Sequence, residues 1–177
     1  MGAQMELAAT YLLTLAAISI TFAGFAALTV ILRQMAGGRL TDFDILFVGN
    51  VLIGGFMVAG CALLPPLLML FKLADPTIWR ASSLVTAVVQ GIFLVARLRA
   101  RQSVTSLPIS MWSLVNYAGQ WLTTLFLFLV AMRVFLEPDA ATFAAGLTAF
   151  VLLGFVAYLI ALETFVQMDQ NKKKRQR

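Results

Sequence analysis

Five long apolar runs, divided by short clusters of charge, constrain this 177-residue chain more than anything else in it. A helix that crosses a hydrocarbon core needs about 20 predominantly apolar residues at a rise of about 1.5 Å each, and each run is long enough. The runs cover roughly residues 7–32, 42–73, 76–98, 108–133 and 139–167. Only 12% of the residues are charged, against roughly 25% in a soluble domain, too few to coat a water-facing surface. The predicted fold is all-α: a polytopic transmembrane bundle of five spans over residues 1–170, followed by a basic tail at 171–177.

The boundaries carry their own signals. Gly37 and Gly38 end the first span between Arg33 and Arg39. Thr41 suits an N-cap, and Asp42 and Asp44 suit the positive end of the second helix. Pro65 and Pro66 predict a kink or break in its outer third, because each lacks the N–H that a helix interior uses. Asp75 and Pro76 predict the start of the third helix, and Glu137 and Pro138 that of the fifth. The third span is the shortest in uncharged residues, sixteen between Arg80 and Arg97. Arginines near helix ends reach the headgroups, so the span stands. The amino terminus has no basic stretch ahead of its first apolar run, so that run is expected to stay as a helix and not to be cleaved as a signal peptide.

The basic residues test the count, because Lys and Arg gather in cytoplasmic loops. Five spans place ten of the 13 on one side: Arg33, Arg39, Arg97, Arg99, Arg101, Lys172, Lys173, Lys174, Arg175 and Arg177. Lys72, Arg80 and Arg133 fall on the other. The threading therefore predicts the amino terminus outside and the carboxyl terminus in the cytoplasm. The terminal "NKKKRQR" reads as disordered topology signal, with Lys172, Lys173, Lys174 and Arg175 also suited to anionic lipid headgroups.

Apolar surfaces gain nothing by leaving lipid for one another, so close backbone approach and interhelical hydrogen bonds must hold the bundle. Ala141, Ala145, Ala149, Ala157 and Ala161 form a smooth ridge on the fifth span, with Gly146 and Gly154 beside it. Ala16, Ala23, Gly24 and Ala27 on the first span, and Gly49, Gly54, Gly55, Ala59 and Gly60 on the second, offer similar surfaces. These are read as helix-packing residues, within one chain or between copies.

Reactive chemistry is sparse. Histidine is absent, which removes the commonest general base and metal ligand together. The one cysteine, Cys61, sits in an apolar run and reads as a small buried hydrophobe. All eight acidic residues lie in tails, loops or end turns, whereas a coupled carrier places an ionisable group near mid-membrane. There is no phosphate loop and no metal-ligand spacing. We expect no catalytic residue, no cofactor and no metal, hence no enzyme. The net charge of +5 reads as membrane topology and not as a nucleic-acid surface.

What remains is neutral and polar. In "SLVNYAGQWLTT", Ser113, Asn116, Gln120 and Thr124 fall on one face of the fourth helix. Threading puts Asn50 about 12 Å from the start of the second helix, Gln90 about 10 Å from Arg97, and Asn116 and Gln120 about 12 and 18 Å from Pro108. All four amides thus share the cytoplasmic half of the bilayer. An amide alone against hydrocarbon costs several kcal/mol, so the amides are expected to face one another, a neighbouring subunit or water. Two readings stay open: an interhelical hydrogen-bond cluster, or a pore lining with the "LFLFLV" collar, Leu125 to Val130, as a dewetting gate.

The segment "AISITFAGFAALTVILR" followed by "LTDFD", and later "IWRASSL", resembles a loosely defined group of short, uncharacterised bacterial integral membrane proteins. The likeness rests on Phe22 to Leu28 and on Trp79, Arg80 and Ser82, and covers about the first half of the chain. It implies a bacterial inner-membrane setting and carries no activity with it. The expected function is association in that membrane, as a homo-oligomer or an accessory subunit, with the bilayer and other membrane subunits as partners. The rival is an oligomeric channel for ions or small neutral solutes, lined by the polar face of the fourth helix.

Overall fold

The computed structural model describes residues 2–35, 42–104, 111–134 and 136–175, with side chains described within 5–160 for most of these and none beyond 160. Five helices account for nearly all of them: α1 Gly2–Met35, α2 Asp42–Leu70, α3 Asp75–Val104, α4 Met111–Ala131 and α5 Ala140–Arg175. All five are long and apolar enough to cross a membrane, and the architecture is that of an all-α multi-pass membrane protein.

Helix ends follow local chemistry. Asp139, one residue past the expected Glu137-Pro138 signal, caps α5: its Oδ1 accepts from the Thr142 backbone N–H at 2.7 Å, and Thr142 Oγ1 accepts in return from the Asp139 N–H at 3.2 Å. This reciprocal pair satisfies two otherwise orphaned donors. At the start of α3 the Ala74 carbonyl accepts from Ile78 at 3.1 Å, so the helix begins one residue before its predicted cap and Asp75 lies in its first turn. α4 ends in a Schellman motif: Arg133 has φ 57°, its N–H reaches Val130 O at 3.0 Å, and the Val134 N–H reaches Leu129 O at 3.1 Å. α2 stops at Leu70, where Lys72 adopts φ 53°.

Three expectations are corrected. The Pro65-Pro66 pair lies inside α2 and does not break it; Pro65 is fully buried, held by packing that offsets the lost backbone bonds. α5 continues to Arg175, so the backbone of the tail is helical and not disordered; no Gly or Pro follows Gly154 to stop it. The alanine ridge does not make the principal packing face of α5. Ala141 and Ala145 are exposed, while Phe143, Leu147, Phe150 and Val151 on the other side are buried. Gly37, Gly38, Thr41, Pro108 and the side chains of Asp42, Asp44, Ala161, Lys172, Lys173, Lys174 and Arg175 lie outside what is described.

α5 touches all four other helices, α1 to α4 pack in sequence, and α1 closes on α5. α1 and α5 run parallel, bonded by Tyr11 Oη to Thr148 Oγ1 at 2.7 Å and Thr29 Oγ1 to Tyr158 Oη at 2.8 Å. Between these, Phe22 packs on Phe155 with ring centroids 4.0 Å apart. α4 and α5 run antiparallel, with Gly119 against Leu153 and Gly146 against Leu127 and Phe126. The core gathers Leu12, Leu15, Val58, Trp79, Leu94, Leu127, Phe143 and Phe150, with Cys61 buried among them.

Candidate functional site

The polar face of α4 turns inward, onto α3 and α5 of its own bundle. Asn116, Gln120 and Thr124 are 5%, 1% and 6% exposed. Such residues lie four apart on a helix and so stack on one side. Gln120 Nε2 donates to Asn116 Oδ1 at 3.0 Å, and Asn116 Nδ2 donates to the Leu153 carbonyl of α5 at 2.6 Å. The Thr124 hydroxyl is shared between Gln120 O at 2.9 Å and Gln90 Oε1 of α3 at 3.3 Å. Three of the four predicted amides therefore form one chain of bonds across α3, α4 and α5. Ser113 lies half-buried at the far end of the stripe.

A fourth partner was not foreseen. Arg97, expected at the headgroups, donates from Nη1 to Gln120 Oε1 at 3.2 Å, and its guanidinium lies 4.9 Å from the centre of the Tyr117 ring. It enters the bundle because Gln120 and Tyr117 give it an acceptor and a π face where a lipid-exposed arginine would have neither. Arg80, by contrast, stays at a helix end, its Nε donating to Ala131 O at 3.0 Å, where a cation complements the last carbonyls of α4.

Asn50 joins the others through space and not through a bond. A cavity of about 60 Å³ opens between all five helices, with Ser19, Asn50, Arg97 and Gln120 as its polar lining. Its walls include Phe22, Val58, Phe93, Phe150, Gly154 and Ala157. That volume exceeds the roughly 10–15 Å³ one water requires. Gly55 makes the narrowness of the bundle here possible: a Cβ on it would lie 2.8 Å from Ala23 Cβ and 2.9 Å from Ser19 O. Gly54 is held less tightly, 3.3 Å from the Phe93 ring. The other predicted packing glycines differ, since a Cβ on Gly24 or Gly154 would meet nothing within 4 Å. Ala149 is half-buried.

Sequence reasoning also missed a second polar row. Ser82, Ser83, Thr86 and Gln90 are all 0% exposed, and Ser82 Oγ, Ser83 Oγ, Thr86 Oγ1 and Gln90 Nε2 have no hydrogen-bond partner. Their spacing of one, four and eight residues puts them on one side of α3. Together with the amide chain they draw a polar line through the bundle interior, from Arg97 to Ser82, over about 22 Å of helix. Among the described residues no group of three or more Cys, Asp or Glu side chains comes together as a metal site would require.

On the lipid side a separate groove runs between α3 and α4, about 420 Å³ in volume, lined by Ala87, Gly91, Ala96, Ile92, Arg99 and Trp121 among others. No family model, curated protein or solved structure matches the chain.

Proposed function

We propose that this protein is a small integral protein of a bacterial inner membrane that acts by association, as a homo-oligomer or as an accessory subunit of a larger membrane complex, without catalysis of its own. The observation that carries this reading is the groove between α3 and α4. Its α3 side is an apolar strip that includes Val88, Ile92, Val95 and Ala96, with Val88, Ile92 and Val95 exposed, a surface that packing against another transmembrane helix would cover. Trp121 forms one wall, and Arg99 stands at the end where the threading places the cytoplasm.

The same threading sets the amino terminus outside and the basic tail in the cytoplasm, with Lys172, Lys173, Lys174 and Arg175 at anionic headgroups. A pore lined by the polar face of α4 is the weaker reading. Asn116, Gln120 and Thr124 are already engaged by α3 and α5, and little of that face is left to meet a neighbouring subunit.

Mass determination in mild detergent and in nanodiscs tests the proposal. The expected result is a particle larger than one chain, and Ala96→Phe, which fills the groove, should weaken its assembly at least tenfold. A strictly monomeric particle with no membrane partner retained, or an oligomer indifferent to Ala96→Phe, counts against it. Liposomes that show no solute flux would dispose of the pore.

A further inference from the structure

The cavity where the five helices meet has Arg97 in its lining and, among the described residues, no negative charge to match it. Arg97 lies five residues inside the end of its span, Asp75–Gln102, which is about 7–8 Å along the helix. Its neighbours are the neutral Gln120 amide and the Tyr117 ring. No carboxylate pairs with Arg97 among the described residues. Arg97 is half-buried, and a charge partly withdrawn from water is stabilised by an opposite one.

Donors are available around it. Gln120 engages Nη1 of the guanidinium and Tyr117 is also within reach, which still leaves N–H groups of the planar fork that an arginine presents. Asn50 lines the same cavity and makes no hydrogen bond among the described residues, so both of its amide hydrogens are free to donate. A cation is repelled from such a site, and a neutral solute leaves the charge unmatched. An oxyanion accepts from both side chains. The remaining wall is Phe22, Val51, Val58, Phe93 and Phe150, which suits an apolar body attached to that head. The volume of about 60 Å³ is several times the roughly 10–15 Å³ that one water requires, enough for a carboxylate or the oxygens of a phosphate.

We propose that Arg97 and Asn50 form an intramembrane binding site for an oxyanion carried on an apolar body, a carboxylate or phosphate on an amphiphile. This site is independent of the α3–α4 groove and stands whether or not the protein associates. The head has two possible sources, a lipid of the bilayer or a free amphiphilic acid, and they share the chemistry that Arg97 and Asn50 recognise.

Thermal unfolding in nanodiscs, with native mass spectrometry of retained lipid, tests the site. In discs of phosphatidylcholine, octanoate should raise the unfolding temperature saturably by several degrees, while octanol should not. Arg97→Gln should abolish the shift, Asn50→Leu should weaken octanoate at least tenfold, and Arg133→Gln, far from the cavity, should leave it unchanged. If a lipid is the natural occupant, discs of phosphatidylglycerol should shift the wild type in the same way, with one lipid retained by it and lost from Arg97→Gln. If the occupant is a free acid, phosphatidylglycerol should have no such effect. The proposal is overturned if neither octanoate nor phosphatidylglycerol stabilises the protein, if octanol matches octanoate, or if the variants keep the full shift. Should Arg97→Gln fail to fold, Asn50→Leu decides alone, because Asn50 makes no hydrogen bond among the described residues.

Discussion

Thr86 and Thr29 show why hydroxyls in a membrane helix are hard to interpret from sequence. Thr29 Oγ1 donates back to Phe25 O at 2.9 Å, as Thr14, Ser19 and Thr21 do to the carbonyl four residues earlier, so such side chains need no partner from another helix. Thr86, Ser82 and Ser83 do not follow that habit and remain unpaired in the core. The large amides were legible because nothing local satisfies an Asn or Gln in lipid. Arg97 was misread for the opposite reason, since position near a helix end permits both a headgroup and an interior destination. A buried unpaired hydroxyl costs about 1–3 kcal/mol. Thr86→Val, which keeps the shape and removes the hydroxyl, should therefore leave the protein unchanged or raise its stability by about 1 kcal/mol. Gln120→Leu should do the reverse and destabilise by more, because it strands Arg97 and the Asn116 carbonyl together. Equilibrium unfolding of both variants in the same detergent checks the sign of each.

At the scale of the helix, small residues divide into those that admit a neighbour and those that face outward. Gly55 and Gly24 were indistinguishable in sequence, each sitting in a run of small residues, because a helix shows its partner only once its rotation is fixed. A methyl on Gly55 would meet the Ser19 backbone at 2.9 Å, an atom that cannot swing aside, so Gly55→Ala should cost about 1–3 kcal/mol of stability. Gly24→Ala meets nothing within 4 Å and should be neutral or slightly stabilising through helix propensity. Gly146 meets side-chain atoms instead of backbone: its added methyl would lie 2.7 Å from Leu127 Cδ2 and 2.9 Å from its Cγ, in a side chain that is itself fully buried. Within one chain the alanine ridge of α5 is not the main packing face, on similar grounds. Four-residue spacing defines a face without saying which way it points, and Phe143 and Phe150, offering far more area to bury, decided it. Helix ends were legible to within a few residues, and the α5 cap repays a direct test. Asp139→Ala removes both the carboxylate bond to the Thr142 N–H and the anion at the helix start, and should lower stability by about 1 kcal/mol.

For the molecule as a whole, the number of spans was readable because hydrocarbon thickness fixes the length each helix needs, and five runs supplied it. The order in which helices pack was not, because α5 reaches every other helix through side chains whose direction no linear pattern records. Register between helices agrees with alternating passage. Tyr11, Phe22 and Thr29 meet Thr148, Phe155 and Tyr158 in ascending order, as two odd-numbered spans running the same way must. Gly119 meets Leu153 while Gly146 meets Leu127, as an even and an odd span should.

The proposed orientation in the bilayer, drawn from the distribution of Lys and Arg, has a sharp consequence. Between residue 37 and residue 176 the chain makes four passes if every later helix spans, so those two positions share a side; a re-entrant α3 would put them on opposite sides. Cysteines introduced as Gly37→Cys, Glu137→Cys and Gln176→Cys report this directly, with buried Cys61 left in place as an internal unlabelled control. A membrane-impermeant maleimide should label Glu137→Cys on intact spheroplasts. It should reach Gly37→Cys and Gln176→Cys only in inverted vesicles. Labelling of residues 37 and 176 from opposite faces would remove one span from the count, and labelling of both from outside would invert the molecule while leaving its five helices as they are.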